Sequence, residues 1–208
     1  MTHLYMYRLT SDTGLAPCVK GKILSLSVCK GGQIRNGQQI HTGMRYEIGS
    51  RFYKEYKDDD VYILGIYKNK LLYLARVTKV LTMMEYFKKD SKGRMDDLYD
   101  VKGGTLHRNK HLFKEGVHTD EQCERDIAGE YVLLSKEYTY LGRDAKKVAL
   151  VTKKGPKFRE TKHYTGKDAD KIVNACKKVW DDGEHLPNSP WIRGCANEDY
   201  SVKKRIRC

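Results

Sequence analysis

Residues 61–80 read VYILGIYKNKLLYLARVTKV. Two apolar stretches, Val61–Tyr67 and Leu71–Val80, flank a short polar linker in which Asn69 favours a hairpin turn. Each stretch alternates imperfectly, being apolar over much of its length. Working outward, Leu4–Leu9 (LYMYRL) and Ile23–Cys29 (ILSLSVC) alternate with period two and read as strands. Tyr131–Ser135 (YVLLS) reads as a buried strand and Ala149–Thr152 as another. Ser11–Gly14 followed by Ala16–Pro17 is turn chemistry, and Gly31–Gly32, Asn36–Gly37 and Gly43 mark a loop-rich stretch.

Helical signals are fewer. Thr82 followed by Glu85 is a capping box opening a short helix with Met84, Tyr86 and Phe87, which Gly93 ends. Residues 168–180 place Ile172, Val173, Cys176, Val179 and Trp180 on one stripe, with Gly183 beyond the end. Residues 90–120 read as a long irregular excursion, and the tail Lys203–Arg207 (KKRIR) is basic. With no repeat and no long linker, residues 1–208 are expected to form one α+β domain.

Composition narrows the function. The 208 residues carry 40 Lys+Arg against 27 Asp+Glu, a formal net charge of +13. Fifteen Tyr, four Phe and two Trp are too much aromatic mass for a disordered chain. No run of 18 apolar residues is present and MTHLYMYRLTSDTG lacks a signal-peptide pattern, so the expected location is cytoplasmic, without a membrane. The six cysteines contain no CxxC and read as reduced thiols, Cys29 and Cys176 in apolar contexts. Residues 146–208 hold 16 Lys+Arg against 8 Asp+Glu, whereas 121–145 hold 3 against 6. An excess of this kind favours a polyanionic partner, nucleic acid or a nucleotide. Nothing in the sequence fixes an oligomeric state.

Among candidate chemistries, His107, His111, His118 and Cys123 are spaced H-x3-H-x6-H-x4-C, but glycines interrupt the segment. Neither a metal nor a cofactor is expected. Asp58–Asp60 and Asp96–Asp97 read as solvated charge, and GGQIRNGQ lacks the G-K-[ST] ending of a phosphate loop. Cys29 precedes Lys30, a cation that favours a reactive thiol, although the strand ahead of it favours a packed one. The stretch Lys153–Arg159 (KKGPKFR) sets Lys153, Lys154, Lys157 and Arg159 around Gly155–Pro156 and Phe158, cations for phosphates and an aromatic for a base. Lys30 and Arg35 offer similar chemistry beside Gly31–Gly32.

Six stretches in order carry a resemblance: DTGLAPC (12–18), LSLSVCKGGQIR (24–35), HTGMR (41–45), LLYLARVTKVLTMMEYF (71–87), DDLYD (96–100) and DIAGEYVLLSKEYTYLGRDA (126–145). Together they resemble the nucleotide modification associated domain 2 (Nmad2) family over roughly residues 5–160, leaving 161–208 as a helical extension with a basic tail. Two departures stand out. Gly31–Gly32 replace the family's usual Pro after Cys-Lys, loosening that turn, and Met95–Tyr99 replaces G-D-N-I-Y.

The resemblance implies association with DNA base modification in bacteria and their viruses. It also implies a strongly curved, barrel-like mixed sheet of PUA-like kind with a few flanking helices. A reader of modified bases needs an aromatic pocket, polar edges and a basic rim. Tyr5, Tyr7, Tyr62, Tyr73, Tyr86 and Tyr99 with Asp12, Lys30 and Arg35 are the materials. The expected pocket is Asp12, Gly14 and Tyr99; the expected nucleic-acid contacts are Lys30, Arg35, Arg45, Lys153, Lys154, Lys157, Phe158 and Arg159. Two alternatives are an enzyme acting on a modified base or nucleotide through Asp12, Cys29 or Asp97, and a viral or mobile-element protein whose basic face meets a host partner.

Overall fold

The computed structural model describes residues 1–36, 38–109, 120–157 and 160–179. In chain order the first strands are β1 (Thr2–Arg8), β2 (Cys18–Lys20), β3 (Ile23–Leu26), β4 (Gly32–Arg35) and β5 (Gln38–Thr42), followed by helix α1 (Met44–Phe52). Then come β6 (Asp60–Tyr67), β7 (Lys70–Arg76) and β8 (Lys79–Thr82), and α2 (Met83–Glu85), which runs into a π-helical turn at Tyr86–Asp90. A hairpin of β9 (Tyr99–Lys102) and β10 (Thr105–Arg108) precedes α3 (Asp120–Ile127), β11 (Tyr131–Ser135) and β12 (Glu137–Tyr140). The described chain ends with α4 (Ala149–Lys154), β13 (Thr161–Thr165) and α5 (Gly166–Lys177).

The fold is α+β, built on two main sheets. The larger has the order β12-β7-β6-β1-β13, with β1 and β6 parallel and every other pair antiparallel. The second, β2-β3-β11-β8, is antiparallel, and β4–β5 and β9–β10 are separate two-stranded ribbons. No sheet closes on itself among the described residues, so the expected barrel is corrected to open sheets with free edges.

The hairpin at the centre of the larger sheet forms as its sequence indicates. Lys68 and Asn69 both take left-handed φ (49° and 61°), the two-residue turn whose twist matches antiparallel strands. The imperfect alternation also has a cause. One face of the sheet (Tyr5, Tyr7, Ile63, Tyr73, Ala75, Tyr140) packs on Leu24, Leu26, Val80 and Leu133 of the second sheet and on Met44 and Ile48 of α1. The other face (Leu4, Met6, Leu64, Ile66, Leu71, Leu74) lies under Val151 of α4 and Ala169, Ile172, Val173 and Cys176 of α5. A strand covered on both faces has no solvent side to mark with polar residues. A register shift after Gly65 adds to this, turning the consecutive Leu72 and Tyr73 to the same face.

Four local expectations change. Ala149–Thr152 is helical, not extended, because so short an apolar run has no period of its own; burial of Val148 and Val151 decides it. The supposed irregular excursion contains the β9–β10 hairpin, closed by Gly103 and Gly104 at φ 55° and 75°. Residues 161–177 are no appendage: β13 pairs along β1 and α5 seals the outer core. The α5 helix starts at Gly166, while Trp180, Gly183 and the tail Lys203–Arg207 lie outside the described residues.

Candidate functional site

At one level across the large sheet, register places Tyr7 opposite Gly65, Gly65 opposite Tyr73, and Tyr73 opposite Tyr140. Directly opposed residues share a face, so three tyrosines and a gap form one row turned toward the second sheet. The gap is required: a Cβ on Gly65 would run into the Tyr73 ring and lie 2.8 Å from Leu9 Cδ1. Across it the Tyr7 and Tyr73 hydroxyls hydrogen-bond at 2.7 Å. The Tyr140 hydroxyl donates to both oxygens of Asp12, at 2.8 and 2.9 Å. Burial is the largest cause raising the pKa of all three phenols, so they remain protonated at neutral pH.

Above this row sits the turn after β3. Cys29 and Lys30 are consecutive non-glycine residues with left-handed φ, 59° and 55°, a conformation costing about 1–2 kcal/mol each. Arg45 holds the turn. Fully buried, its guanidinium donates to Cys29 O at 2.7 Å, Tyr131 O at 2.5 Å and Asp126 O. Asp126 in turn accepts the Cys29 N–H and, at 3.0 Å, the Tyr99 hydroxyl. Burial lowers the Arg45 pKa, with the Asp126 charge opposing it. Gly31 and Gly129 close over this guanidinium: a Cβ on Gly31 would lie 2.8 Å from Gly129 N and 2.9 Å from Arg45 Nη2. The glycine pair after Lys30 therefore tightens the turn rather than loosening it.

The turn holds Lys30 Nζ 4.7 Å from the Tyr7 ring centroid, a cation–π contact. Burial pulls this lysine's pKa below its ordinary value, with the neighbouring Cys29 opposing. Asp12 and Cys29 both lie within electrostatic reach of Tyr7, whereas Tyr99 belongs to the Asp126 side of the turn. The expected pocket residues Asp12 and Tyr99 thus bracket the Cys29–Lys30 turn from two sides. Gly14, at φ 77°, lies two residues after Asp12 in the loop that follows β1.

The proposed reactive carboxylates are built into the interior. Asp12 is 1% exposed and bound to Tyr140. Asp97 is 8% exposed and accepts from Ser91 and, at 3.3 Å, from Lys92 Nζ. Cys29 alone of the three candidates is half-buried. Two further carboxylates are as central: Asp126, which sequence reasoning did not single out, and Asp96, where the expected solvated charge is corrected, since Asp96 is 0% and its neighbour Asp97 8% exposed. Asp96 accepts from Ser25 (2.6 Å), Ser27 (2.7 Å) and Tyr86, beside Arg94 at 3.3 Å, and Asp126 is described above. Both stand in the motifs DDLYD and DIAGE, but their tyrosine partners are not readable from spacing.

A basic edge lies at the end of β1 and β6. Arg8 donates through Nε to Pro156 O at 2.5 Å and through Nη1 to Asn69, tying the 153–157 segment to the Lys68–Asn69 turn. Thr152 Oγ1 donates to Asn69 O, and Lys162 Nζ donates to Lys154 O and Gly155 O, all at 3.4 Å. Lys68, Lys153 and Lys157 are exposed. Lys154 is half-buried and pairs with Asp168 at 3.1 Å, so it also closes α4 against α5.

Of the other expected contacts, Arg35 is exposed on β4. Arg45 is a correction: spending its guanidinium on three main-chain carbonyls, it presents no surface to a phosphate. Phe158 and Arg159 lie outside the described residues, as do His111 and His118. His107 bonds Thr105 Oγ1 at 2.8 Å.

Two open sheets packed through an apolar core, with the buried Asp12–Tyr140 and Asp126–Tyr99 pairs beside one left-handed turn, define an α+β protein. The chain belongs to the nucleotide modification associated domain 2 (Nmad2) family, whose pattern matches residues 1–185. The match passes residue 160 and takes in β13 and α5. No curated protein and no solved structure matches the chain. No helix among the described residues is long and apolar enough to cross a membrane.

Proposed function

We propose that this protein binds nucleic acid in connection with base modification. In this reading the basic edge holds phosphates, and the Cys29–Lys30 turn over Tyr7 faces the base. The observation that carries it is the edge itself. Exposed Lys68, Lys153 and Lys157 stand together at one end of the large sheet, where the half-buried Arg8 and Lys162 spend their donors on Asn69 and on the backbone of residues 154–156 and so fix that segment. Exposed cations on a fixed frame suit a polyanion, because neutralising phosphates releases counterions while the backbone that carries the cations needs little further ordering. The family's name supports the link to nucleotide modification.

The test is a salt titration of binding to a 20-base-pair DNA duplex, comparing the protein with a Lys153→Ser/Lys157→Ser variant. Each lost phosphate contact lowers the slope of log K against log salt by about one. Stability should hold to within about ±0.5 kcal/mol, since both residues are exposed. A flat salt response in the unaltered protein overturns the reading. An enzyme acting on the base is the second reading. It rests on Cys29, the one candidate reactive group that keeps partial exposure.

A further inference from the structure

The β4–β5 ribbon is absorbed by none of the chemistry above. It leaves the body directly after the Cys29–Lys30 turn and returns at Gly43, whose N–H donates to Gly31 O at 3.2 Å. Three of the chain's four glutamines, Gln33, Gln38 and Gln39, stand on its eleven residues, and residues 13–46 contain no Asp or Glu. Register sorts these side chains. Gln33 is opposite His41 and Arg35 opposite Gln38, with an irregularity after Gln33 that brings His41 to the face of Gln33 and Arg35. All four are exposed. Gln39 is on the opposite face, donating to Ala128 O at 3.1 Å and so pinning the ribbon to the body beside α3.

We infer that the β4–β5 ribbon is a groove-reading arm that enters the major groove of double-stranded DNA, with Gln33, Arg35, Gln38 and His41 facing the base edges. This rests on the nucleic-acid reading and names the substrate form within it. A two-stranded ribbon fits the roughly 12 Å major groove of B-form DNA, whereas the deep, narrow major groove of A-form RNA excludes it. Glutamine amides match the paired donor and acceptor of adenine N6 and N7, and arginine matches guanine O6 and N7. A face with these groups and no carboxylate meets phosphates without repulsion. The acidic residues of the neighbouring helix, Asp120, Glu121 and Glu124, precede Ala128, to which the inner face is pinned through Gln39.

The experiment compares two duplexes of one sequence, one with natural purines and one with 7-deazapurines, which removes the N7 acceptors from the major groove and leaves backbone charge unchanged. The expected result is binding at least about tenfold weaker to the 7-deaza duplex. The variant Gln33→Ala/Arg35→Ala/Gln38→Ala/His41→Ala should bind both duplexes equally, at the weaker level. Equal binding of both duplexes by the unaltered protein, with a steep salt dependence, overturns the arm and leaves the nucleic-acid reading standing. No binding to either duplex at low salt overturns both.

Discussion

Replacing Arg45 by Met should be among the most damaging single changes in this chain. The side chain is fully buried, and Met removes its three donations while filling much of its volume. Hydrogen bonds to a charged group are worth about 1.5–3 kcal/mol each, which gives a gross loss of about 5–9 kcal/mol. Against this, Met relieves the cost of burying a guanidinium, several kcal/mol. The net destabilisation is then about 3–5 kcal/mol, as expected when one partner of a buried charged network is removed. In urea, with a slope of about 2–3 kcal/mol/M for a chain of this size, the midpoint should fall by about 1–2 M.

If Arg45→Met does not fold, Arg45→Lys keeps the charge and one donation, and should lose about half as much. A midpoint shift below about 0.3 M in Arg45→Met, with unchanged slope, would falsify the structural assignment. The salt slope of DNA binding separates the two roles. A folded Arg45→Lys protein should keep it, because Arg45 touches no solvent; a slope lowered by about one would return Arg45 to the phosphate surface.

Three further outcomes follow from the same contacts. Tyr140→Phe removes the phenol donor from the buried Asp12 carboxylate and should cost about 1–3 kcal/mol by urea unfolding; no loss would mean that the other contacts of Asp12 suffice to hold it. Removing the Thr82 cap by Thr82→Ala should cost about 1 kcal/mol, because its hydroxyl accepts the Glu85 N–H at 3.2 Å; a neutral result would remove that role. Burial, then His3 and Arg51, lowers the pKa of His163, whose Nε2 faces His3 Nδ1 at 3.1 Å. The unfolded chain therefore binds more protons, and stability present above about pH 6.5 should be lost as pH falls through that value and below. His163→Phe, which keeps the ring stacked on Tyr5, should lessen the fall in melting temperature between pH 7.5 and 5.

What the sequence made legible was local. The Asn69 turn, the Thr82–Glu85 box and the α5 stripe each depend on residues within a few positions of one another, and each formed. The carboxylate–tyrosine pairs were not legible, because Asp12 and Tyr140 are 128 residues apart and meet only through strand order. Arg45 misled for a related reason: a lone arginine reads as surface charge, and three acceptors from three separate segments make it interior. Ala149–Thr152 failed because so short a run carries too little periodicity, and only the helix packed beside it settles the matter.

The end of β1 explains how the basic edge and the Cys29–Lys30 turn share one frame. Successive residues of a strand point to opposite faces. Tyr7 therefore turns inward beneath Lys30, and Arg8 turns the other way to hold Pro156 and Asn69. Displacing the 153–157 segment must pull on Arg8 and so on the strand that carries Tyr7. Lys30 O accepts the Arg45 N–H at 3.2 Å, so the same turn is tied to α1 before the ribbon begins. Anchoring the ribbon at its root by Arg45 and at Gln39 leaves little freedom to lose on binding, and preorganisation of this kind raises affinity without adding a contact. Loosening the root through Gly129→Ala, whose Cβ would lie about 2.5 Å from Arg45 Cζ, should therefore weaken duplex binding even though Gly129 is far from any exposed cation of the edge in sequence.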